Sequence, residues 1–326
     1  MVSAYFFGID AGNSKTQACI ADERGRVLAL ANAGGGNWEG IGLDAAQAVY
    51  QAALDEALRQ SGLARHQLAA AGYGLAGYDF PGDEGRLRPV VEALGVPGPY
   101  FLENDALIGL RAGTSRPYGV VCIAGAGSVK AGRAPDGRTF RTWGLGAELG
   151  DWGGGGDLCR AAVAAIARAE KGISPPTALQ APVLAHYGAR DVTHLMELIG
   201  RERVYRIDFA PIIFEVAAAG DPVAMEILIN GGHGLARGVN AVIEALGMQA
   251  LAFELVLAGG VFRAEYPLLR ATLEADVRRI APQVEIVRLT APPVVGAVLM
   301  AMDVAGLQPD DGVRQRLIAG VQAALA

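Results

Sequence analysis

Cysteine is scarce in this sequence, and the few cysteines lie far apart. The chain of 326 residues has three, Cys19, Cys122 and Cys159, an odd number without a CxxC spacing. This pattern argues against a disulfide framework, a zinc site or a redox pair. We therefore expect three reduced core residues in a cytoplasmic protein.

Long apolar runs and clusters of positive charge are also missing. No apolar stretch reaches the roughly 20 residues that a membrane-spanning helix needs, and the N-terminus has no basic segment followed by a long apolar one. The net charge is −6, and no basic cluster offers a surface for nucleic acid. These absences predict no membrane and no nucleic-acid partner, and they favour a small-molecule ligand.

What the sequence does have is enough apolar material for a large folded core. Hydrophobic residues make up 52% of the chain and charged residues 19%, a balance typical of a packed globular protein. At this length, one long domain and two lobes of roughly 100–200 residues are both ordinary. We expect two lobes.

A three-strand pattern occurs twice along the chain. Short apolar segments at 4–10, 16–22 and 27–31 are joined by turns, and similar segments follow at 118–124, 129–133 and 139–143. After the first set, helices and strands alternate, which predicts parallel strands with crossover helices. The repeat predicts an α/β protein of two related lobes with a ligand between them, and with Asp10 and Ala124 at equivalent strand ends.

The first turn of this pattern, GIDAGNSKT at 8–16, ends like a P-loop. It fails that motif, because GxxxxGK[ST] needs a glycine where Ser14 stands and a helix where a second strand follows. Its small residues predict instead a hairpin whose backbone N–H groups bind an anion. Asp10 would lie beside that anion, which a Mg²⁺ ion between them makes tolerable. An ordinary hairpin turn is the alternative.

Two further glycine turns follow apolar strands. GAGS at 125–128 has the same small residues as the first hairpin, and LAGG at 257–260 precedes a helix. Glycine lets the backbone approach a ligand closely. Alone, each motif is more typical of a structural turn. Within a repeated architecture, GAGS predicts a second phosphate clamp.

An ordered set of seven motifs resembles one family across nearly the whole chain. The motifs are GIDAGNSKT (8–16), GGGNW (34–38), ENDA (103–106), IAGAGS (123–128), LGDWGGG (149–155), LAGGV (257–261) and PVVGA (293–297). The set is similar to that of the N-acetylglucosamine kinase branch of the actin, heat-shock ATPase and sugar-kinase superfamily, the BadF/BadG/BcrA/BcrD ATPase type.

The resemblance implies an α/β fold of two ribonuclease-H-like, actin-like ATPase lobes around a central cleft. The first lobe would span 1–115, with the C-terminal helix at about 293–326 packing back on it, and the second would span 116–292 with a helical insertion. ATP and Mg²⁺ would bind in the cleft, and a phosphoryl group would pass to a hydroxyl of an amino sugar, with N-acetylglucosamine as the first candidate.

Positions within these motifs imply individual site residues. Asp10 would hold Mg²⁺ through water, and Asp105 would be the general base. The nucleotide would be bound by ten residues of the three glycine turns: Gly12, Asn13, Ser14, Lys15, Thr16, Gly125, Gly127, Ser128, Gly259 and Gly260. The residues alone allow another reading of Asp105, since Asn104 and Asp105 could simply cap a helix.

For the sugar, the resemblance implies Asn37 and Trp38 in the first lobe and Gly150 and Asp151 in the second. Carboxylate and amide groups hydrogen-bond sugar hydroxyls, and an aromatic plane covers the apolar face of the ring. The alternatives are a loop asparagine, a half-buried tryptophan and, for Asp151, a helix N-cap.

Departures from the family pattern bear on function. Ala126 stands where threonine is usual, which removes one hydroxyl contact to phosphate, and Trp152 stands where glutamate is common, which leaves sugar specificity open. Activator ATPases of the same family hold an iron–sulfur cluster, but no cluster motif surrounds Cys122 or Cys159. A sugar-independent ATPase that couples lobe closure to a partner protein is the second hypothesis. A homodimer is left open.

Overall fold

Two five-stranded sheets form the centre of the protein, for which a computed structural model describes residues 4–326. The strands are β1 (Tyr5–Ala11), β2 (Thr16–Asp22), β3 (Val27–Ala33), β4 (Leu68–Leu75), β5 (Tyr100–Glu103), β6 (Gly119–Ala124), β7 (Ser128–Arg133), β8 (Thr139–Arg141), β9 (Phe253–Ala258) and β10 (Val284–Arg288). The first three residues of the predicted first lobe lie outside the described part.

Helices cover these sheets. They are α1 (Trp38–Ile41), α2 (Leu43–Ser61), α3 (Asp83–Glu92), α4 (Asp105–Gly113), α5 (Gly155–Glu170), α6 (Gln180–Tyr187), α7 (Val192–Gly200), α8 (Ala210–Ala218), α9 (Pro222–Ala245), α10 (Leu268–Ile280), α11 (Pro293–Val304) and α12 (Asp311–Leu325). Within residues 4–326, no helix has both the length and the apolar character needed to cross a membrane.

Both sheets have the same topology. The strand order is β3-β2-β1-β4-β5 in the first and β8-β7-β6-β9-β10 in the second. In each sheet the first three strands are antiparallel, and the next two run parallel to the first. The predicted repeat is therefore confirmed, and so is the α/β class with two sheets of one design.

The two hairpin turns are equivalent, with one correction to the expected alignment. β1 pairs with β2 up to Ala11, and β6 pairs with β7 up to Ala124. Counted from these last pairs, the counterpart of Asp10 is Ile123, so the expected match of Asp10 with Ala124 is wrong by one residue. The shift matters because successive residues of a strand point to opposite faces of the sheet.

The last two helices pack against the first sheet. α11 crosses β1 and β4 closely, and a Cβ at Gly8 or Gly72 would clash with its backbone. α12 adds Leu317 and Val321 to the same core. This packing supports the predicted return of 293–326 to the first lobe. The lobe boundaries themselves stay a prediction.

Five helices, α5 to α9, are inserted between β8 and β9 in the second lobe. Its core packs α5 to α10 against the second sheet and includes Cys122 and Cys159, while Cys19 lies in the core of the first lobe. All three cysteines are buried and free, as expected for reduced core residues.

Candidate active site

A cleft of about 580 Å³ opens between the two sheets. We call it the carboxylate cleft, because Asp10 and Asp105 both line it. From the predicted nucleotide residues it is also lined by Gly12, Ser14, Lys15 and Gly259. The fold thus brings together, from three separate chain segments, both predicted carboxylates and parts of two glycine turns.

Asp10 lies near the end of β1, where the strand enters the first hairpin. Burial and, to a smaller extent, the negative charge of Asp105 raise the pKa of Asp10, and the ammonium of Lys15 opposes both effects, with a net pKa of about 7. Two carboxylates that raise each other's energy in a partly buried site are poorly compensated by the protein alone. A divalent cation is the natural partner of such a donor set.

Asp105 is the first residue of α4, and the structure shows which of Asn104 and Asp105 caps that helix. The side chain of Asn104 accepts a hydrogen bond from the backbone N–H of Ala106 (3.0 Å) and is the N-cap. The carboxylate of Asp105 is therefore available to the cleft. Its pKa is raised by burial and by Asp79, and Arg141 opposes the shift.

The first hairpin is a narrow turn with its polar side chains outward. Its backbone closes through a hydrogen bond from Gly12 N to Lys15 O (2.9 Å), and Asn13, Ser14 and Lys15 are exposed. Thr16 behaves differently, because its hydroxyl is buried and has no hydrogen-bond partner among the described residues. This hairpin offers N–H groups, a hydroxyl at Ser14 and one cation to an anion.

The second hairpin is seated on the start of α5. Gly155 N donates to Gly125 O (2.7 Å), and Gly156 N donates to Ala126 O (2.8 Å). A Cβ at Gly125 or Gly127 would meet nothing within 4 Å, so the outer side of this turn is open space for a ligand. The hairpin itself carries no charged side chain.

The third glycine turn joins β9 to the helical segment after it. Gly259 has a φ of +99°, and a Cβ there would clash with the backbone of Ala124, so this position requires glycine. Gly260 borders a second cavity of about 620 Å³ with Gly125, Ala126, Ile207 and Phe214 in its wall. This apolar cavity is large enough for a nucleoside.

The predicted sugar residues of the second lobe line a third opening of about 680 Å³. We call it the aromatic cleft, because Phe80, Phe140 and Trp143 lie around it together with Gly150 and Asp151. Asp151 is buried, and its Oδ2 accepts hydrogen bonds from Gly144 N (2.6 Å) and Leu145 N (3.2 Å). It is not a helix N-cap, since Gly154 precedes α5.

The predicted sugar residues of the first lobe are engaged in the loop itself. Asn37 is the N-cap of α1, and its Nδ2 donates to Oδ1 of Asn13 in the first hairpin (2.7 Å). Trp38 donates its indole N–H to Gly77 O (2.8 Å), and the guanidinium of Arg86 lies 5.4 Å from its ring centre. Asn37 therefore links the predicted sugar loop to the predicted phosphate loop.

Sequence reasoning missed the contacts that join the lobes beside the aromatic cleft. Arg141 of β8 forms an ion pair with Asp79 (3.1 Å), and the rings of Phe80 and Trp143 lie 5.9 Å apart. The position of Asp79 after a parallel strand is a signal that could have been used, because ligands gather at that end of such sheets. Nothing in the sequence around Arg141 indicates its partner.

Trp152, the residue that departs from the family pattern, packs against a glycine of α9. A Cβ at Gly234 of α9 would clash with the indole of Trp152. Gly234 of α9 thus permits close packing of a side chain from the opposite wall.

Magnesium fits the donor set. Within residues 4–326, no group of three or more His, Cys, Asp or Glu side chains forms a metal cage. Mg²⁺ usually keeps several waters and is held by one or two carboxylates together with substrate phosphates. Asp10, with its raised pKa and its place beside the first hairpin, meets that requirement.

Two sheets of one topology, with Asp10, Asp105 and the first hairpin lining the cleft between them, define a two-lobed phosphotransferase of the actin-like ATPase class. The family model described as "BadF/BadG/BcrA/BcrD ATPase family" matches residues 7–301. The chain belongs to this family.

Several known proteins are similar over most of the chain. An N-acetylmuramic acid/N-acetylglucosamine kinase of Clostridium acetobutylicum is 30% identical over 91% of this chain and 98% of its own length. An N-acetyl-D-glucosamine kinase of Dictyostelium discoideum is 27% identical over 93% and 99%. A solved Chromobacterium violaceum protein, provisionally described as an N-acetylglucosamine kinase, is 25% identical, with a TM-score of 0.63 over 91% and 99%. The predicted fold is thereby confirmed.

Proposed function

We propose that this chain is an ATP-dependent hexosamine kinase that acts on N-acetylglucosamine. The observation that carries the proposal is the meeting of Asp10 and Asp105 in one cleft with the first hairpin and Gly259. The names of the two similar kinases, each aligned over more than 90% of this chain, support the same activity.

The three glycine turns would hold the nucleotide. The first hairpin and the second, with Ser128, would bind the β- and γ-phosphates from opposite sides through backbone N–H groups. Gly259 and Gly260 would lie against the adenosine, because Gly260 lines the apolar cavity next to the phosphate turns. In phosphoryl transfer, such positioning supplies much of the catalysis.

Asp105 would act as the general base. Its carboxylate would accept the proton of the attacking sugar hydroxyl as that oxygen bonds to the γ-phosphorus and ADP leaves. The raised pKa makes it a stronger base than an exposed aspartate, and general base catalysis contributes about 10²–10⁴ in rate. The cap of α4 fixes its position, because Asn104 holds the first turn.

Asp10 would hold Mg²⁺ through a coordinated water. The bound ion would neutralise charge on the β- and γ-phosphates. Asp10 would also couple the base to the phosphate turn electrostatically, since the charges of Asp105 and Lys15 both change its pKa.

The sugar would bind between Asp105, which lines the carboxylate cleft, and Asp151, which lines the aromatic cleft. Gly150 and Asp151 would contribute from the second lobe, while Asn37 and Trp38 would shape the first-lobe side through their bonds to Asn13 and Gly77. The ring of Trp143, 54% exposed, offers an apolar plane at the same opening.

ADP release in a coupled assay tests the function. We expect turnover with Mg·ATP only when an amino sugar is present, with N-acetylglucosamine compared against glucosamine, N-acetylmuramic acid and glucose. Mass spectrometry of the product identifies the phosphorylated sugar. Turnover that is equal with and without every sugar would contradict the kinase and support the sugar-independent activator-type ATPase, which the kinase relatives do not favour. The homodimer and the cytoplasmic location stay predictions.

A further inference from the structure

A buried lysine lies between the second hairpin, which is predicted to bind phosphate, and the turn at 150–152, which is predicted to bind sugar. The chain has only three lysines, Lys15, Lys130 and Lys171. Lys130, in β7, is 1% exposed. Burying an ammonium is costly unless its hydrogen-bonding capacity is used, so its contacts indicate what it is there to hold.

Lys130 touches both turns with one group. Its Nζ donates to Ser128 Oγ (2.8 Å) at the end of the second hairpin and to the carbonyl oxygen of Trp152 (3.3 Å) next to Gly150 and Asp151. The Ser128 hydroxyl also donates to the same carbonyl (3.3 Å). The three groups form a closed triangle between the predicted phosphate-binding and sugar-binding segments.

The surroundings of Lys130 are built to keep it in place. Its stem lies against Gly238 of α9, where a Cβ would come within 2.8 Å of Lys130 Cδ. Burial lowers its pKa, while the charges of Cys122, Asp151 and Asp157 act in the opposite direction. Among the described residues, the hydrogen-bond partners of its ammonium are the hydroxyl and the carbonyl alone.

We propose that Lys130 is a positioning residue that holds the second hairpin and the turn at 150–152 in one fixed relation, so that phosphate and sugar are presented together. The proposal rests on the proposed kinase function. The Ser128 hydroxyl accepts from Lys130 and donates to the Trp152 carbonyl, so its orientation at the end of the second hairpin depends on both groups. A purely local role in stability would not require the ammonium to reach both turns.

Steady-state kinetics of Lys130→Met tests this role. Misalignment of about 1 Å between reacting groups can cost about 10²-fold in rate. We expect kcat to fall by about 10- to 100-fold, while KM for ATP and KM for the sugar each change less than about threefold. The matched control, Lys171→Met, replaces an exposed lysine at the end of α5 and should leave all three constants unchanged.

A double-mutant cycle separates positioning from separate local effects. If Lys130 acts through Ser128, the kcat losses of Lys130→Met and Ser128→Ala will not multiply in the double variant. A kcat within twofold of wild type in folded Lys130→Met, a loss confined to one KM, or losses that multiply would each overturn the proposal.

Two further outcomes are distinguishable. If Lys130→Met does not fold, the same kinetics are measured on Lys130→Gln. Its shorter amide cannot reach both turns. An unchanged kcat in folded Lys130→Gln therefore also overturns the proposal. If wild type shows no sugar-dependent turnover at all, the kinase function itself fails, and this is read before any variant is made.

Discussion

The first hairpin, at 12–15, and the second, at 125–127, join the first two strands of sheets with one topology. Around the first, charge lies in the cleft, with Asp10 before the turn and Lys15 in it. The second has no charged side chain in the turn, and the ammonium of Lys130 is buried against Ser128 at its end. The repeated backbone provides two predicted anion sites, and the side chains at its edges distinguish them.

Equivalent strand positions show how this difference arises. The residue that corresponds to Asp10 in the second sheet is Ile123, which lines the same carboxylate cleft from the opposite side. The two acids of the carboxylate cleft, Asp10 and Asp105, therefore both come from the first lobe, and the second hairpin contributes backbone and no charged side chain. The substitutions below test this division, beginning with the one that should have the largest effect.

Replacing the base should cost the most. We expect Asp105→Asn to lower kcat by about 10²–10⁴, because the amide cannot accept the hydroxyl proton, while the fold and the affinity for a non-hydrolysable ATP analogue persist. Asn104 still caps α4 in this variant. Asp44→Asn, at an exposed acid in the first turn of α2, is the matched control. A near-normal kcat would remove Asp105 from the mechanism.

Replacing the metal-side acid should cost somewhat less. We expect Asp10→Asn to lower metal-dependent turnover by about 10²-fold at saturating Mg·ATP. The reason is that the carboxylate that would hold the cation beside the phosphates is gone. Circular dichroism should show an unchanged fold. If Mg²⁺ titration gave the same curve for variant and wild type, the metal would be held elsewhere.

The raised pKa of Asp10 gives this site a pH dependence. A carboxyl whose pKa rises from about 3.9 unfolded to about 7 folded makes the metal-free protein less stable as pH rises from about 4 to 7. Protons also compete with Mg²⁺ below pH 7, so the apparent KM for Mg²⁺ should be about tenfold higher at pH 6 than at pH 8. In Asp10→Asn, the melting temperature of the metal-free protein should no longer show this fall in stability between pH 4 and pH 7.

Much of this architecture could be predicted from the sequence, because patterns within a few neighbouring residues determine its strands, turns and helix ends. β2 has the bounds that its apolar segment predicts, and the repeat of three strands predicted the second sheet. Asp10 and Asp105 were predicted as one site by their motifs. Strand period, turn residues and helix caps act over a few residues, which is why sequence alone indicates them.

The remaining features depend on how the lobes meet. Asp79 and Arg141 are 62 residues apart in the chain, and no local pattern pairs them. Lys130 looks like an ordinary strand residue until α9 and the second hairpin cover it. The one-residue error in matching Asp10 has the same origin, because strand register is fixed by the partner strand and not by the segment itself.

The ion pair between the lobes should have an intermediate effect. Arg141 opposes the rise of the Asp105 pKa, so Arg141→Met should raise that pKa further and move the acid limb of the pH profile of kcat/KM to higher pH. A shift of one unit lowers the activity below the limb about tenfold. Arg138→Met, at an exposed pair with Asp136 in the same hairpin, should leave the limb in place. An unmoved limb in Arg141→Met would show that Asp105 does not sense this charge.

The smallest effect should come from giving the second hairpin a hydroxyl. Ala126 is exposed on the apolar cavity, whereas the first hairpin has Ser14 in its turn. Ala126→Thr adds a donor next to the predicted phosphates, and a net hydrogen bond of about 0.5–1.5 kcal/mol corresponds to a two- to twelvefold lower KM for ATP. Ala126→Val has nearly the same shape without the hydroxyl and should not lower that KM. Equal values for the two variants would mean that the second hairpin binds phosphate through its backbone alone, and the contrast between the hairpins would then lie entirely in Asp10, Lys15 and Lys130.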